Sequence, residues 1–227
     1  LVTEGAQAVR AFDPPEPVLL MTALAQAGRV LMWCGDYRGA QALLAEAQAL
    51  SLQHRPVGAY LTLGEIRFLR AESLLWDGQM PEADAVIRQL LAAAPEEGHA
   101  RRTVRRLGRL LHAHRQALLG DVSAAAAGLR TLIDEVPPPW NGDDRSIVIE
   151  ARHRLAFVLA RSDPAAARAQ MAALREVLRG INLERGLRWV SLDALEARLS
   201  DRTTDLDKQA GELAPHLRDP DFRPLRR

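Results

Sequence analysis

The sequence predicts an all-α protein made of about five antiparallel helical hairpins, and two observations carry this prediction. The first is helical periodicity without strand signals, because no stretch rich in β-branched and aromatic residues alternates cleanly between apolar and polar positions. The second is an internal repeat of about 42 residues, a length typical of stacked supersecondary units. The repeat is marked by turn-forming pairs at Gly35-Asp36, Gly78-Gln79, Gly120-Asp121 and Ser162-Asp163.

Residues of fixed size recur at fixed distances from these turns, as expected when two helices pack closely within each hairpin. Seven positions before the turns stand Gly28, Ala71, Ala113 and the larger Leu155. Five positions after them stand Ala40, Ala83, Ala125 and Ala167. Four positions further on stand Leu44, Ile87, Leu129 and Met171. These columns predict two amphipathic helices per repeat, joined by a sharp turn.

We place the hairpins in order at residues 18–54, 59–95, 100–137, 145–180 and 183–218. Proline stops support the ends of the second and third hairpins, at Pro95 and at Pro137 to Pro139. The fifth hairpin is degenerate, since Asp205 occupies the position of the small residue. A polar last repeat is what the end of a stacked array requires. Residues 1–17 are expected to be the remnant of a preceding helix plus a linker, and residues 219–227 a tail, within a longer natural protein.

Composition and missing motifs exclude several function classes. The 30 basic and 29 acidic side chains nearly cancel, which disfavours a globally basic nucleic-acid binder. Cys34 is the only cysteine, so neither an internal disulfide nor a thiolate zinc cluster can form, and a cytoplasmic location is expected. No uncharged stretch reaches the roughly 20 residues of a membrane span. Zinc-protease, phosphate-loop and nucleophile-elbow motifs are missing. We therefore expect no catalytic residues, metal or cofactor.

The best-defined repeat resembles the tetratricopeptide-repeat signature in spacing and residue type. The resemblance rests on Gly28, Gly35-Asp36-Tyr37, Ala40, Leu44 and Ala47, and more loosely on Ala71, Gly78, Ala83, Ile87 and Pro95. It implies a right-handed α-α superhelix. The period exceeds the usual length of about 34 residues and is similar to the longer repeats of bacterial transcription activators and signalling ATPases. In such regulators these arrays are sensor or partner-docking domains, which implies a non-enzymatic binding or scaffold module here.

The first helices of such hairpins would line a concave surface, and residues at matching positions there predict a binding groove. Its expected occupant is a protein or peptide, a neighbouring domain of the same polypeptide, or a small-molecule effector. Alternatively, the tryptophans pack one hairpin against the next and the polar residues form a solvated stripe. The candidate groove residues are Gln26, Arg29, Trp33, Glu65, Phe68, Glu72, Trp76, His114, Arg152 and His153.

A dense set of arginines on the third hairpin is the strongest local charge feature. No acidic residue occurs between Glu97 and Asp121. We favour a solvated face that pairs with acids on neighbouring helices, such as Glu65, Glu72 or Glu150. Contact with nucleic acid or with an acidic partner is the alternative function, and self-association through the incomplete N-terminal unit is another. The basic patch consists of Arg101, Arg102, Arg105, Arg106 and Arg109.

Overall fold

The computed structural model describes residues 16–54, 63–92, 98–182 and 187–200, with side chains described except at 98–101 and 187–190. Within these ranges the chain is all-α, with nine helices and no strand, as the sequence predicts. The helices are α1 (Pro17–Trp33), α2 (Tyr37–His54), α3 (Leu63–Trp76), α4 (Met80–Leu91), α5 (Gly98–Leu118), α6 (Val122–Asp134), α7 (Gly142–Leu159), α8 (Pro164–Arg179) and α9 (Leu187–Leu199). The first four predicted hairpins are thereby each matched by two helices. The second half of the fifth lies outside the described residues, as do residues 1–15 and 219–227.

Three of the four hairpin turns are closed by a glycine in the left-handed region, with φ of 75° at Gly35, 78° at Gly78 and 87° at Gly120. The first turn shows the bonding pattern. The Gly35 amide donates to the Met32 carbonyl at 3.0 Å, and the Asp36 amide donates to the Leu31 carbonyl at 2.9 Å. This paired arrangement satisfies the last carbonyls of the first helix, and only glycine adopts the required backbone without strain. The repeated glycine is therefore a conformational requirement of each turn.

The residue after the turn position caps the second helix in three of the four hairpins. The carboxylates of Asp36, Asp121 and Asp163 accept hydrogen bonds from the backbone amides three positions ahead, at 2.9 Å for the first and 3.0 Å for the other two. Each bond satisfies one of the amides left without a partner at a helix start. Gln79 occupies the equivalent position of the second hairpin, yet its side chain makes no such bond.

The described residues fall into two compact units, one ending at Leu111 and the other beginning at His112. In the first unit, α1 packs on α2, α2 on α3 and α3 on α4, and α1 also contacts α3. The close approach of α1 and α2 depends on Gly28, where an added Cβ would lie 2.7 Å from Leu44 Cγ. Gly108 of α5 is packed against α4 in the same way, since a Cβ there would lie 2.9 Å from Leu90 Cβ. Small residues thus set the helix spacing in this unit.

In the second unit, α6 packs on α7, α7 on α8, and α9 on both α7 and α8. The buried core here joins Ala156 of α7, Met171 and Leu174 of α8, and Leu192 and Leu195 of α9. Its rim is held by ion pairs between α8 and α9, from Arg168 to Glu196 at 3.2 Å and from Arg175 to Asp193 at 2.7 Å. Exposed ion pairs contribute little, so burial of the apolar side chains stabilises this packing.

The repeat columns are the core of both units. The alanines five positions after the turns are 0% exposed in all four hairpins, and the larger residues that follow them are at most 2% exposed. The column before the turns is also buried, from Gly28 and Ala71 to Ala113 and Leu155. The repeat therefore marks which residues pack inside each hairpin. Among the described helices, none is long and apolar enough to span a bilayer.

Candidate functional site

Two tryptophans at equivalent positions of the first two hairpins are exposed. Trp33 ends α1 with 59% of its surface accessible, and Trp76 ends α3 with 49% accessible. A large apolar side chain is usually buried, so two such residues in register form an unusual surface. Each indole still buries a substantial part of its surface, and Trp76 takes part in an interaction within the protein.

A polar cluster holds the beginning of α2 against the second turn. Gln41 Nε2 donates to Asp77 Oδ2 at 3.3 Å, and Gln79 Nε2 donates to Gln41 Oε1 at 3.1 Å and to Asp77 Oδ2 at 2.5 Å. Arg38 adds a longer ion pair to the same carboxylate, at 3.8 Å. These bonds align the two turns, and each turn directly follows one of the tryptophans. We refer to Trp33 and Trp76, with this aligned pair of turns, as the tryptophan edge.

Four other groove candidates of the first unit are half-buried along the first helices. Arg29 and Glu72 are equivalent residues of α1 and α3, and each lies one turn before its tryptophan. Glu72 takes part in a polar interaction within the protein. The Nε of Arg29 is buried and makes no hydrogen bond in the described part of the chain. Gln26 and Glu65 are half-buried as well. Arg29 and Glu72 therefore place one group of each charge next to the tryptophan edge.

Phe68 packs between the cores of neighbouring hairpins. It is half-buried and packs against two hydrophobic clusters of the first unit. One cluster contains Leu24 and Leu44, and the other contains Leu75 and Ile87. An aromatic ring shared by two clusters joins neighbouring hairpins, so the buried part of Phe68 contributes to the core of the first unit.

His114, expected in the same groove, is a buried residue of the second unit with 8% of its surface exposed. Its Nδ1 accepts a hydrogen bond from the Nη1 group of Arg154 on α7. A guanidinium can only donate, so Nδ1 carries no proton and the neutral ring holds its proton on Nε2. Burial, reinforced by the Arg154 charge, lowers the pKa of His114 to about 3. Arg154 also lies 3.7 Å from the Glu150 carboxylate. His114 thus links α5 to α7 instead of facing a ligand.

Arg152 and His153 are used for contacts between helices of the second unit. Arg152 donates from Nη1 to Gln170 Oε1 of α8 at 2.8 Å, and burial lowers the pKa of its guanidinium while Asp134 opposes that change. His153 Nε2 is hydrogen-bonded to Ser191 Oγ of α9 at 2.7 Å. Its ring also packs on Phe157, with centroids 4.9 Å apart. Both side chains are half-buried, and both hold α7 to a neighbour.

The basic patch divides into exposed and engaged members. Arg102 and Arg105 are exposed, and neither makes a hydrogen bond or ion pair in the described part of the chain. Arg106 and Arg109 are half-buried, and each takes part in an interaction within the protein. The side chain of Arg101 lies outside the described residues. Pairing with neighbouring acids, as expected for a solvated face, therefore does not extend to Arg102 and Arg105.

Neither Arg154 nor Gln41 and Asp77, which help to align the first two turns, is marked by the repeat or by a motif in the sequence. Arg154 carries no motif, and its role depends on a partner 40 positions away. Gln79 did carry a signal, because a glutamine replaces the aspartate found at the other three turns. Among the described residues, no group of three or more histidine, cysteine or acidic side chains could hold a metal ion.

Comparison with known proteins adds no family to this description. No family model, no curated protein and no solved structure matches the chain. The likeness to tetratricopeptide repeats accordingly rests on the spacing of residues within this sequence.

Proposed function

We propose that this chain is a non-enzymatic, tetratricopeptide-like binding module of a larger cytoplasmic bacterial regulator, and that it docks a protein or peptide segment. In this proposal the hairpins continue as a right-handed superhelix. The observation that carries it is the recurrence of an exposed tryptophan, Trp33 and Trp76, at the same position of two consecutive hairpins.

The chemistry of the tryptophan edge suits a peptide ligand. Tryptophan and arginine are the side chains most often responsible for binding energy at protein interfaces. Here both tryptophans have a charged neighbour one turn earlier, Arg29 in α1 and Glu72 in α3. The indoles would supply apolar area, while the two opposite charges would fix the direction of the bound segment.

The distance between the two tryptophans determines how far apart the apolar side chains of the bound segment should be. Packed helices lie about 8–10 Å apart, and α1 contacts α3. An extended chain covers about 10 Å in three residues. We therefore expect a ligand with two apolar side chains about three positions apart, one for Trp33 and one for Trp76.

Panning a phage-displayed peptide library against the whole chain tests this proposal. Peptides selected on the wild-type protein should show the expected apolar spacing, and their dissociation constants can be measured by fluorescence anisotropy. The W33A/W76A variant should bind them at least about thirtyfold more weakly, because truncation of a central interface tryptophan costs about 2 kcal/mol or more.

The matched control is Phe157→Ala, which removes an aromatic side chain that is 40% exposed in the second unit. Its affinity for the selected peptides should equal that of the wild type. The proposal is wrong if no peptide is enriched over repeated rounds, or if the W33A/W76A variant binds the enriched peptides as tightly as the wild type. Far-UV circular dichroism checks that each variant keeps its helix content.

A further inference from the structure

One face of α5 carries arginines that the proposed function does not use, and of these Arg102 and Arg105 are exposed. Arg102, Arg105 and Arg109 are spaced at i, i+3 and i+7, so their side chains emerge from one face of the helix. The opposite side of the same segment is packed inward. A Cβ at Gly64 of α3 would lie 2.3 Å from Val104 Cγ2, and Gly108 is packed against α4. Packing therefore fixes which face of α5 presents arginine. We call Arg102, Arg105 and Arg109 the arginine face.

The charge on this face is not neutralised from within its own helix. No acidic residue occurs in α5 at all, so none can pair with these arginines at i±3 or i±4. Arg109 takes part in an interaction elsewhere in the protein. Arg102 and Arg105 are exposed and make no ion pair or hydrogen bond in the described ranges. Two neighbouring guanidiniums repel each other, and an anionic ligand would relieve that repulsion.

We propose that the arginine face docks an acidic peptide segment. Two or more carboxylates of this segment would lie no further apart than one turn of a helix. Guanidinium groups bind carboxylates with paired, directional hydrogen bonds, and Arg102 and Arg105 are one turn apart. A nucleic acid would need a longer row of cations to match its regularly spaced phosphates. Among the side chains of α5 that the structure describes, the two arginines without internal partners cover only one turn, and the whole chain has a formal net charge of only +1. The small extent of the face favours the peptide.

The probe for this proposal is a fluorescein-labelled octaglutamate peptide, titrated with the whole chain in 50 mM salt and followed by anisotropy. The test variant is R102Q/R105Q. The control variant is R88Q/R130Q, which removes the same charge from two other exposed arginines, on α4 and α6. We expect saturable binding that is about tenfold weaker in R102Q/R105Q, from the loss of two exposed ion pairs, and within about twofold of wild type in R88Q/R130Q.

Three results would overturn this assignment. The first is no saturable binding of octaglutamate by the wild-type chain. The second is an equal loss of affinity in both variants, which would indicate diffuse charge attraction. The third is tighter binding of a labelled thymidine octanucleotide, lost in R102Q/R105Q and falling with salt by the slope for several phosphate contacts, which would indicate a nucleic-acid face. The W33A/W76A variant should bind octaglutamate as the wild type does, so this proposal and the tryptophan edge fail independently.

Discussion

The buried imidazole of His114 should make the folded chain less stable in acid. Substitution of His114 should remove this part of the pH dependence. The folded protein holds this ring neutral, with a pKa lowered to about 3 from an ordinary value of 6.5. Between these values the unfolded chain binds a proton that the folded chain does not, so stability falls as the pH falls. The slope is about 1.4 kcal/mol per pH unit, and acidification from pH 7.5 to 4.5 should remove roughly 2.5 kcal/mol.

His114→Asn is the suitable perturbation, because the Asn Oδ1 can accept the Arg154 hydrogen bond that His114 Nδ1 accepts. Carboxylates of the protein titrate in both proteins, so their contributions cancel in the comparison. Urea unfolding followed by circular dichroism at 222 nm, from pH 7.5 to 4.5, gives the free energy of unfolding of each. We expect the variant to lose roughly 2.5 kcal/mol less than the wild type over this range.

His112→Asn is the matched control, because it removes an exposed imidazole from the same helix. Parallel pH profiles for wild type and His114→Asn would refute the argument, as would an equal flattening in the His112→Asn variant. A direct check comes from the imidazole carbon resonances of the wild type. The resonance lost in His114→Asn should keep its neutral shift down to pH 4.5.

Three further substitutions test the repeat by chemical denaturation. Gly120→Ala should lower the free energy of unfolding by about 1–2 kcal/mol, because φ is 87° there although space around the missing Cβ is open. Gly142→Ala is the control, since Gly142 also has open space but no positive φ, and it should leave stability unchanged. Asp163→Ala should cost about 1 kcal/mol through the lost helix cap, and Asp163→Asn should restore most of it. Leu129→Ala should cost about 2–5 kcal/mol because the side chain is 0% exposed. A denaturation midpoint equal to that of the wild type in Gly120→Ala, Asp163→Ala or Leu129→Ala would contradict the corresponding assignment.

The fold could be predicted because its determinants are local and repeated. A turn glycine followed by an aspartate marks where one helix ends and the next begins. Both residues act through backbone conformation and hydrogen bonds to residues a few positions away. Ala40 and its counterparts are buried in every hairpin because the same close approach of two helices recurs. The fourth turn was found despite its Ser162, since Asp163 and Pro164 still mark the start of a helix.

The site was harder to predict because exposure depends on packing between hairpins. Arg29 and His114 each follow the small-residue column by one position, yet Arg29 is half-buried and His114 is only 8% exposed. Their difference arises from what packs against each helix, here Arg154 from a helix 40 residues further along. Phe68 likewise packs on two clusters whose members come from five helices, α1 to α5. A single-helix pattern carries no information about such neighbours.

Gln79 couples the unfolding of the first hairpin to that of the second. It forgoes the cap that aspartate provides at the other turns and bonds instead to Gln41 and Asp77. The start of α4 therefore lacks a side-chain cap. The Gln79 side chain instead binds Gln41 of the preceding hairpin. Opening of either hairpin breaks the same bonds, so their amide protons should exchange with solvent as one cooperative group. Gln79→Asp would restore a local cap, and we expect it to let the two hairpins exchange at separate rates in native-state hydrogen exchange.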